Sequence, residues 1–462
     1  MSRVPARQEG ATDLGRRLTR NALAVDGAAL DAERLARLKL CLLDLLSCVL
    51  GAGPMPWNAP LLAYAARACG QGRAAILGTS HRCAPAEAAF VNSALGAGAS
   101  RSDMHPPSAS HPGLVIFPTL LALASEEEID GREFLLAALA GYEAMGRTGR
   151  ALVTSDNSRR FRPSGLCGPV GSALAAARAL DLGEERALSA LGIAGNAAGG
   201  LMEWAFSGAP DLCYQPAQAA RAGTVAALLA REGARGSHSI LEGPAGLLAT
   251  FGGPPERAGL LGEPWGGAFE IDAVEFKSVP ICVFAQAAAF AAKQLVDGQG
   301  PDLDAEAIEA VEVATFGKAL DYPGCAAGGP IATPQEARMS IPFSVASVLV
   351  LRDLGDANFA AVGDPRIARL AAAVELRGDE AMDAAFPGRQ QARVAVRLAG
   401  GQRVESFLPA LPVFGPAQVR ERFRRCASGV LGETKARVLE DAVEDLEGLA
   451  RVSPLLGLLR PC

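Results

Sequence analysis

The chain has 462 residues, half of them hydrophobic and only 20% charged, which is enough for two or more domain-sized units around a large core and excludes a disordered chain. Its 44 basic and 50 acidic residues give a formal charge of −6 with no basic block, arguing against nucleic acid as the main partner. Residues 40–50 form the first apolar run, but it contains Asp44 and is too short to span a bilayer. Residues 45–66 and 104–125 carry no formal charge, yet prolines and glycines such as Gly53 and Pro54 interrupt them, so each reads as a loop feeding a buried helix. The expectation is a cytoplasmic protein without targeting signal or membrane contact. The ten cysteines (Cys41, Cys48, Cys69, Cys83, Cys167, Cys213, Cys282, Cys325, Cys426 and Cys462) include no CxxC pair and no zinc spacing, so reduced, buried thiols and no metal are expected.

In chain order, Asp31 opens a helix on which Leu35, Leu38, Leu42, Leu45 and Val49 recur at three- and four-residue steps. Helical texture continues over residues 86–97, 119–125, 132–152, 171–180, 184–206 and 218–232. The small residues of 192–200 suit close helix approach, and they lack the spacing and preceding strand of a dinucleotide loop. Near residue 268 the period shortens. Phe269, Ile271, Val274 and Phe276 alternate with acidic residues, Val311 and Val313 flank Glu312, and Val394, Val396 and Leu398 lead through Gly400-Gly401 to Val404, a hairpin signature. Helices are predicted at 283–296 and 340–354 within this stretch, and again at 416–426 and 433–449. The fold class is therefore mainly α. A large all-helical domain is built from both chain ends, residues 1–267 with 409–462, and a smaller α+β domain spans 268–408.

No GxSxG elbow, HExxH, Walker loop or paired CxxC is present. Two of only four histidines, His105 and His111, share a proline-stiffened segment with Asp103. A carboxylate and two imidazoles there supply groups titrating near neutrality in a fixed geometry, although polar loop caps fit the same pattern. Lys277 ends the alternating stretch ahead of residues 279–292, which carry no charge. Desolvated, it would carry a proton or clamp an anion; solvated, it is a strand-end lysine. Cys282, with Lys277 as its nearest cation in sequence, is not expected to hold a thiolate. Arg162 can grip a carboxylate bidentately, and Gly168 ahead of a helix can offer amide N–H groups, unless 161–169 is an ordinary helix entrance. Glu143 and Arg147, one turn apart, should form an intrahelical ion pair.

Many short segments recur in one order. They run from Leu42-Leu43-Asp44-Leu45-Leu46 through Gly78-Thr79, Asn92-Ser93-Ala94-Leu95, His111-Pro112-Gly113 with Pro118, and Gly141-Tyr142-Glu143 with Arg147. Cys167-Gly168-Pro169, Gly192-Ile193-Ala194-Gly195, Ala219-Ala220-Arg221, Lys277-x-x-Pro280-x-Cys282, Glu336-Ala337-Arg338-Met339-Ser340 and the Phe423 helix follow. In this order they resemble the MmgE/PrpD family, which includes 2-methylcitrate dehydratases, cis-aconitate decarboxylases and an iminodisuccinate epimerase. The resemblance implies an α+β lid on the helical domain with the site between them, a homodimer, a small carboxylic-acid substrate and no cofactor. It matches His111 to the family's histidine-proline motif and Lys277 to its K-x-x-P lysine. Asp103 falls in the aspartate-rich stretch with His105 just after it, and Cys282 where members carry Cys or His. The chain departs from the pattern at Ser100, Arg101 and Ser102, which precede a single Asp103. It departs again at Arg162, which replaces a histidine beside Ser164, at Leu212-Cys213-Tyr214-Gln215, and at Gln286, where a histidine is frequent. The expected activity is a lyase, foremost a dehydratase of a small hydroxy di- or tricarboxylic acid. An epimerase, a decarboxylase, or a repurposed member with reduced activity are the alternatives. His111 would be the principal acid/base, with Asp103 and His105 orienting it or sharing protons. Lys277 and Arg162 would hold carboxylates, and Ser164, Tyr214, Cys282 and Gln286 would contact substrate.

Overall fold

Capping residues set the helix starts much as the sequence places them. In the structure, a computed structural model describing residues 13–52, 55–68, 70, 72–300 and 303–461, Asp31 accepts the Arg34 N–H at 2.8 Å and opens a helix. Cys69 and Cys462, like Gly53 and Pro54, lie outside the described residues. The fold is mainly α, and the chain divides into two compact units. The first comprises Met1–Leu201, Leu212–Phe276 and Gly415–Cys462; the second comprises Met202–Asp211 and Lys277–Phe414.

The first unit contains α1 (Leu14–Ala24), α2 (Ala32–Gly51), α3 (Asn58–Ala68), α4 (Pro85–Gly98), α5 (Gly113–Leu123), α6 (Gly131–Leu152), α7 (Pro163–Ala179) and α8 (Glu184–Gly195). The helices Tyr214–Arg231, Pro416–Leu431 and Glu433–Glu444 also belong to it. A two-residue hairpin, β1 (Ala74–Ala75) and β2 (Arg82–Cys83), precedes α4. Leu38, Leu42, Leu45, Leu46 and Val49 of α2 are all buried, each worth roughly 1.5–3 kcal/mol of transfer free energy. Every residue of α5 is buried, which is why its sequence is apolar all round rather than on one stripe. It begins directly after His111-Pro112, so the histidine sits at the mouth of a core helix.

The second unit holds a four-stranded sheet in the order β4-β3-β5-β6, from β3 (Ile308–Thr315), β4 (Val374–Gly378), β5 (Ala392–Leu398) and β6 (Arg403–Leu408). β3 runs parallel to β4 and antiparallel to β5, pairing Val311 with Val374 and Val396, and Val313 with Leu376 and Val394. The β5–β6 turn forms as predicted, with Gly400 and Gly401 at φ +125° and +83°, conformations that a side chain disfavours. The helices Val283–Gln299 and Ile341–Leu351 pack on each other.

Four expectations are corrected. Residues 269–276 do not form a strand. Asp272 turns back to accept the Phe269 N–H at 2.9 Å, closing a 3-10 turn at Glu270–Ala273 and leaving one isolated bridge, Met104 to Glu275. α7 starts at Pro163, not at 171, because proline fits the first helical turn. The helix expected over 184–206 ends at Gly195, and Gly200 takes φ +95° in the break that follows. Among the described cysteines seven are free thiols, whereas Cys83 is disulfide-bonded.

Candidate active site

The segment holding His111 is braced by backbone bonds before any chemistry is considered. Asp103 is fully buried; its N–H donates to Asp44 Oδ2 at 2.8 Å. Its carboxyl group accepts the Gly113 N–H at 3.0 and 3.2 Å and the Tyr142 hydroxyl at 2.6 Å. Asp44 is in turn ion-paired with Arg422, both buried. Gly113 is required here: a Cβ at that position would lie 2.7 Å from an Asp103 carboxylate oxygen. Burial, and next the Asp44 charge, push the Asp103 carboxyl up to about 7, against the bonds from Tyr142, Gly113 and Cys41.

His111 itself is half-buried. Its Nδ1 lies 2.8 Å from the Asp103 carbonyl oxygen, with Ser102 Oγ at 3.2 Å, and its backbone N–H donates to Ser164 Oγ at 3.0 Å. A carbonyl only accepts, so the hydrogen-bond network assigns the proton to Nδ1. The neutral ring then carries its lone pair on Nε2. Asp103 thus orients His111 through its main chain, not through its carboxylate. Ser164 lies in the first turn of α7, and Arg162, half-buried, caps that helix with its N–H bonded to the Gly200 carbonyl at 2.9 Å. Ser102, Asp103 and Ser164 therefore each contact His111, and Arg162 is two residues from the serine. Gly168 lies inside α7, so its amide does not open toward an anion as the sequence suggested.

His105 belongs to a different network. It is buried, its Nδ1 is 2.7 Å from Ser108 Oγ, and its Nε2 is 3.0 Å from Glu270 Oε2, so both ring nitrogens are engaged. Burial of Glu270 opposes its ionisation, but hydrogen bonds from His105 and from Arg150 (2.7 Å) outweigh this and hold its carboxyl below the ordinary value. The Glu143–Arg147 pair forms as expected at 3.2 Å, and Glu143 also accepts the Glu270 N–H. Burial lifts the Glu143 carboxyl to about 7. The Tyr214 ring stacks on Phe90, with centroids 6.2 Å apart.

In the second unit, buried Lys277 precedes an irregular stretch leading to Cys282, which caps the Val283–Gln299 helix. A bond from the Cys325 thiol at 3.6 Å lowers the Cys282 pKa despite burial, helped by the Phe284 N–H and the Lys277 charge. Gln286 is buried one turn further, its amide nitrogen 3.5 Å from the Ile281 carbonyl. Among the described residues no group of three or more His, Cys, Asp or Glu is arranged to hold a metal, and no helix is long and apolar enough to cross a membrane. Asp44, Tyr142, Arg422 and Glu270 were not proposed from sequence. Asp44 alone left a signal, a carboxylate in the middle of an apolar helical run.

This arrangement, a histidine fixed on a proline loop at the head of a core helix, fits the comparisons with known proteins. Residues 16–258 match the MmgE/PrpD N-terminal domain and residues 279–448 the MmgE/PrpD C-terminal domain, and the chain belongs to the MmgE/PrpD family. It is 27% identical to the cis-aconitate decarboxylase-like protein oryM of Aspergillus oryzae, over 93% of both chains. It is 26% identical to a cis-aconitate decarboxylase of Aspergillus terreus, over 95% of this chain and 93% of that one. A human cis-aconitate decarboxylase is 34% identical across 175 residues, 37% of this chain and 36% of its own. Membership of this family supports a lyase-type function.

Proposed function

We propose that the protein is a cofactor-independent lyase of small polycarboxylic acids with His111 as its principal acid/base group. We further propose that it releases CO2 from an unsaturated tricarboxylate, ahead of the hydroxy-acid dehydration expected from sequence alone. The observation that carries the first claim is the His111 Nδ1 bond to the Asp103 carbonyl, which fixes the tautomer and orients a half-buried ring. The second rests on relatives aligned over nearly the whole chain that are named for decarboxylation.

With Nδ1–H committed to a carbonyl, proton traffic falls to Nε2. In decarboxylation CO2 leaves with cleavage of its bond to carbon, the bonding pair stays on the conjugated carbon framework, and an imidazolium Nε2–H protonates carbon. In dehydration the neutral Nε2 removes a proton alpha to a carboxylate, and hydroxide leaves from the beta carbon. Arg162 and Lys277 are assigned to the substrate carboxylates, Tyr214, Cys282 and Gln286 to substrate contact, and His105 to positioning the loop. The family resemblance supports a homodimer as part of the same proposal.

The two protonation states make the alternatives separable. Decarboxylation by an imidazolium predicts a kcat/KM that falls with rising pH; dehydration by the neutral ring predicts the reverse. The test is incubation with a panel of unsaturated and hydroxylated di- and tricarboxylates, read by mass spectrometry and proton NMR. Loss of 44 mass units supports the proposal. Recovery of substrate that has taken up solvent deuterium without losing CO2 or water would replace a lyase by an epimerase.

A further inference from the structure

Two thiols of the second unit are set face to face. Cys282 caps the Val283–Gln299 helix, Cys325 lies just beyond the Gly317–Asp321 helix, and their sulfurs are 3.6 Å apart. The proximity is built into the backbone. Cys282 N–H donates to the Arg338 carbonyl at 2.8 Å, and Ile341 N–H donates to the Cys325 carbonyl at 2.8 Å. Both cysteines are thereby tied to the same short stretch, itself fixed by Ser340, which caps the Ile341–Leu351 helix by accepting the Phe343 N–H at 2.9 Å. Cys325 is fully buried whereas the Cys282 residue is partly exposed, so an oxidant coming from solvent meets Cys282 before Cys325. A disulfide needs an S–S distance of about 2.05 Å, so each sulfur has to move by about 0.8 Å, within reach of small side-chain rotations.

We propose that Cys282 and Cys325 form a redox modification site for peroxide-class oxidants. The Cys282 thiolate attacks the peroxide, takes one oxygen to become a sulfenic acid, and the remaining hydroxide leaves as water after protonation. The Cys325 sulfur then attacks the Cys282 sulfur, an S–S bond forms, and the sulfenic oxygen departs as a second water. The two thiols lose two electrons and two protons, and the peroxide is reduced to two waters. The lowered Cys282 pKa, whose first cause is the hydrogen bond from Cys325, agrees with this division into an attacking and a resolving sulfur.

The test treats the full-length protein with hydrogen peroxide in small molar excess, denatures it, alkylates free thiols and maps peptides by mass spectrometry. The expected result is loss of the alkylated forms of Cys282 and Cys325 together. A joined peptide two hydrogens lighter than the separate pair should appear, and dithiothreitol should reverse it. Cys426, the other partly exposed free thiol among the described residues, is the internal comparison. In Cys325→Ser the sulfenic acid has no resolving partner, and dimedone should label Cys282. Both thiols still alkylated in the native chain at a peroxide dose that oxidises Cys426 would overturn the proposal. So would Cys282 passing to the sulfinic acid with no joined peptide. The native-chain map decides the matter even if Cys325→Ser does not fold.

Discussion

Replacing Asp103 by asparagine should alter the pH dependence of stability more than stability itself. The asparagine carbonyl can accept the Gly113 N–H and its NH2 can donate to the Tyr142 oxygen, so the Gly113 and Tyr142 bonds of the buried carboxyl group are kept. What is lost is the charge. Asp103 titrates at about 7 in the fold against an ordinary 3.8, so between these values the folded state binds the extra proton. Stability from this group is therefore complete below pH 3.8 and declines as pH rises toward and through 7. Between pH 5.5 and 8 the decline amounts to about 2 kcal/mol in the native chain and vanishes in Asp103→Asn. Glu143 is also raised to about 7, but it is present in both proteins and cancels in the difference. The assay is thermal melting of both proteins at pH 5.5 and pH 8. The native-minus-variant difference in Tm should move against the native protein by about 2 °C from the lower to the higher pH. An offset identical at the two pH values would refute a buried, proton-holding Asp103.

Further expectations follow from the same bracing. Arg422→Ala strands the buried Asp44 carboxylate beside Asp103 and should cost about 3–5 kcal/mol in denaturant unfolding. Asp44→Asn in the same chain should recover part of that, and no recovery would argue against the ion pair. Gly113→Ala places a Cβ against the Asp103 carboxyl group and should cost about 1–3 kcal/mol as the Gly113 N–H loses its acceptor, measured by the shift in the denaturation midpoint. An unchanged midpoint would mean that the loop yields freely.

The helices were legible because their apolar spacing and caps are local. Asp31, the α2 leucines and the Gly400-Gly401 turn carry their structure within a few residues. Residues 269–276 misled for a physical reason: alternation of apolar and acidic residues normally means one wet face, but here Glu270 is buried against His105 and Asp272 closes a turn. The histidine pair was legible as chemistry but not as two environments, since Glu270, which engages His105, is 165 positions further along the chain. The support of His111 was illegible for the same reason. It passes through a main-chain carbonyl, which every residue has, and through Asp44 and Arg422, 378 positions apart.

The central claim is that Nε2 of a tautomer-locked His111 moves the proton. Asparagine at 111 can keep a donor for the Asp103 carbonyl while removing Nε2. On whichever acid the panel identifies, kcat/KM of His111→Asn should fall by about 10²–10⁴-fold with Tm unchanged. A folded His111→Asn protein within a few-fold of the native rate would contradict the account.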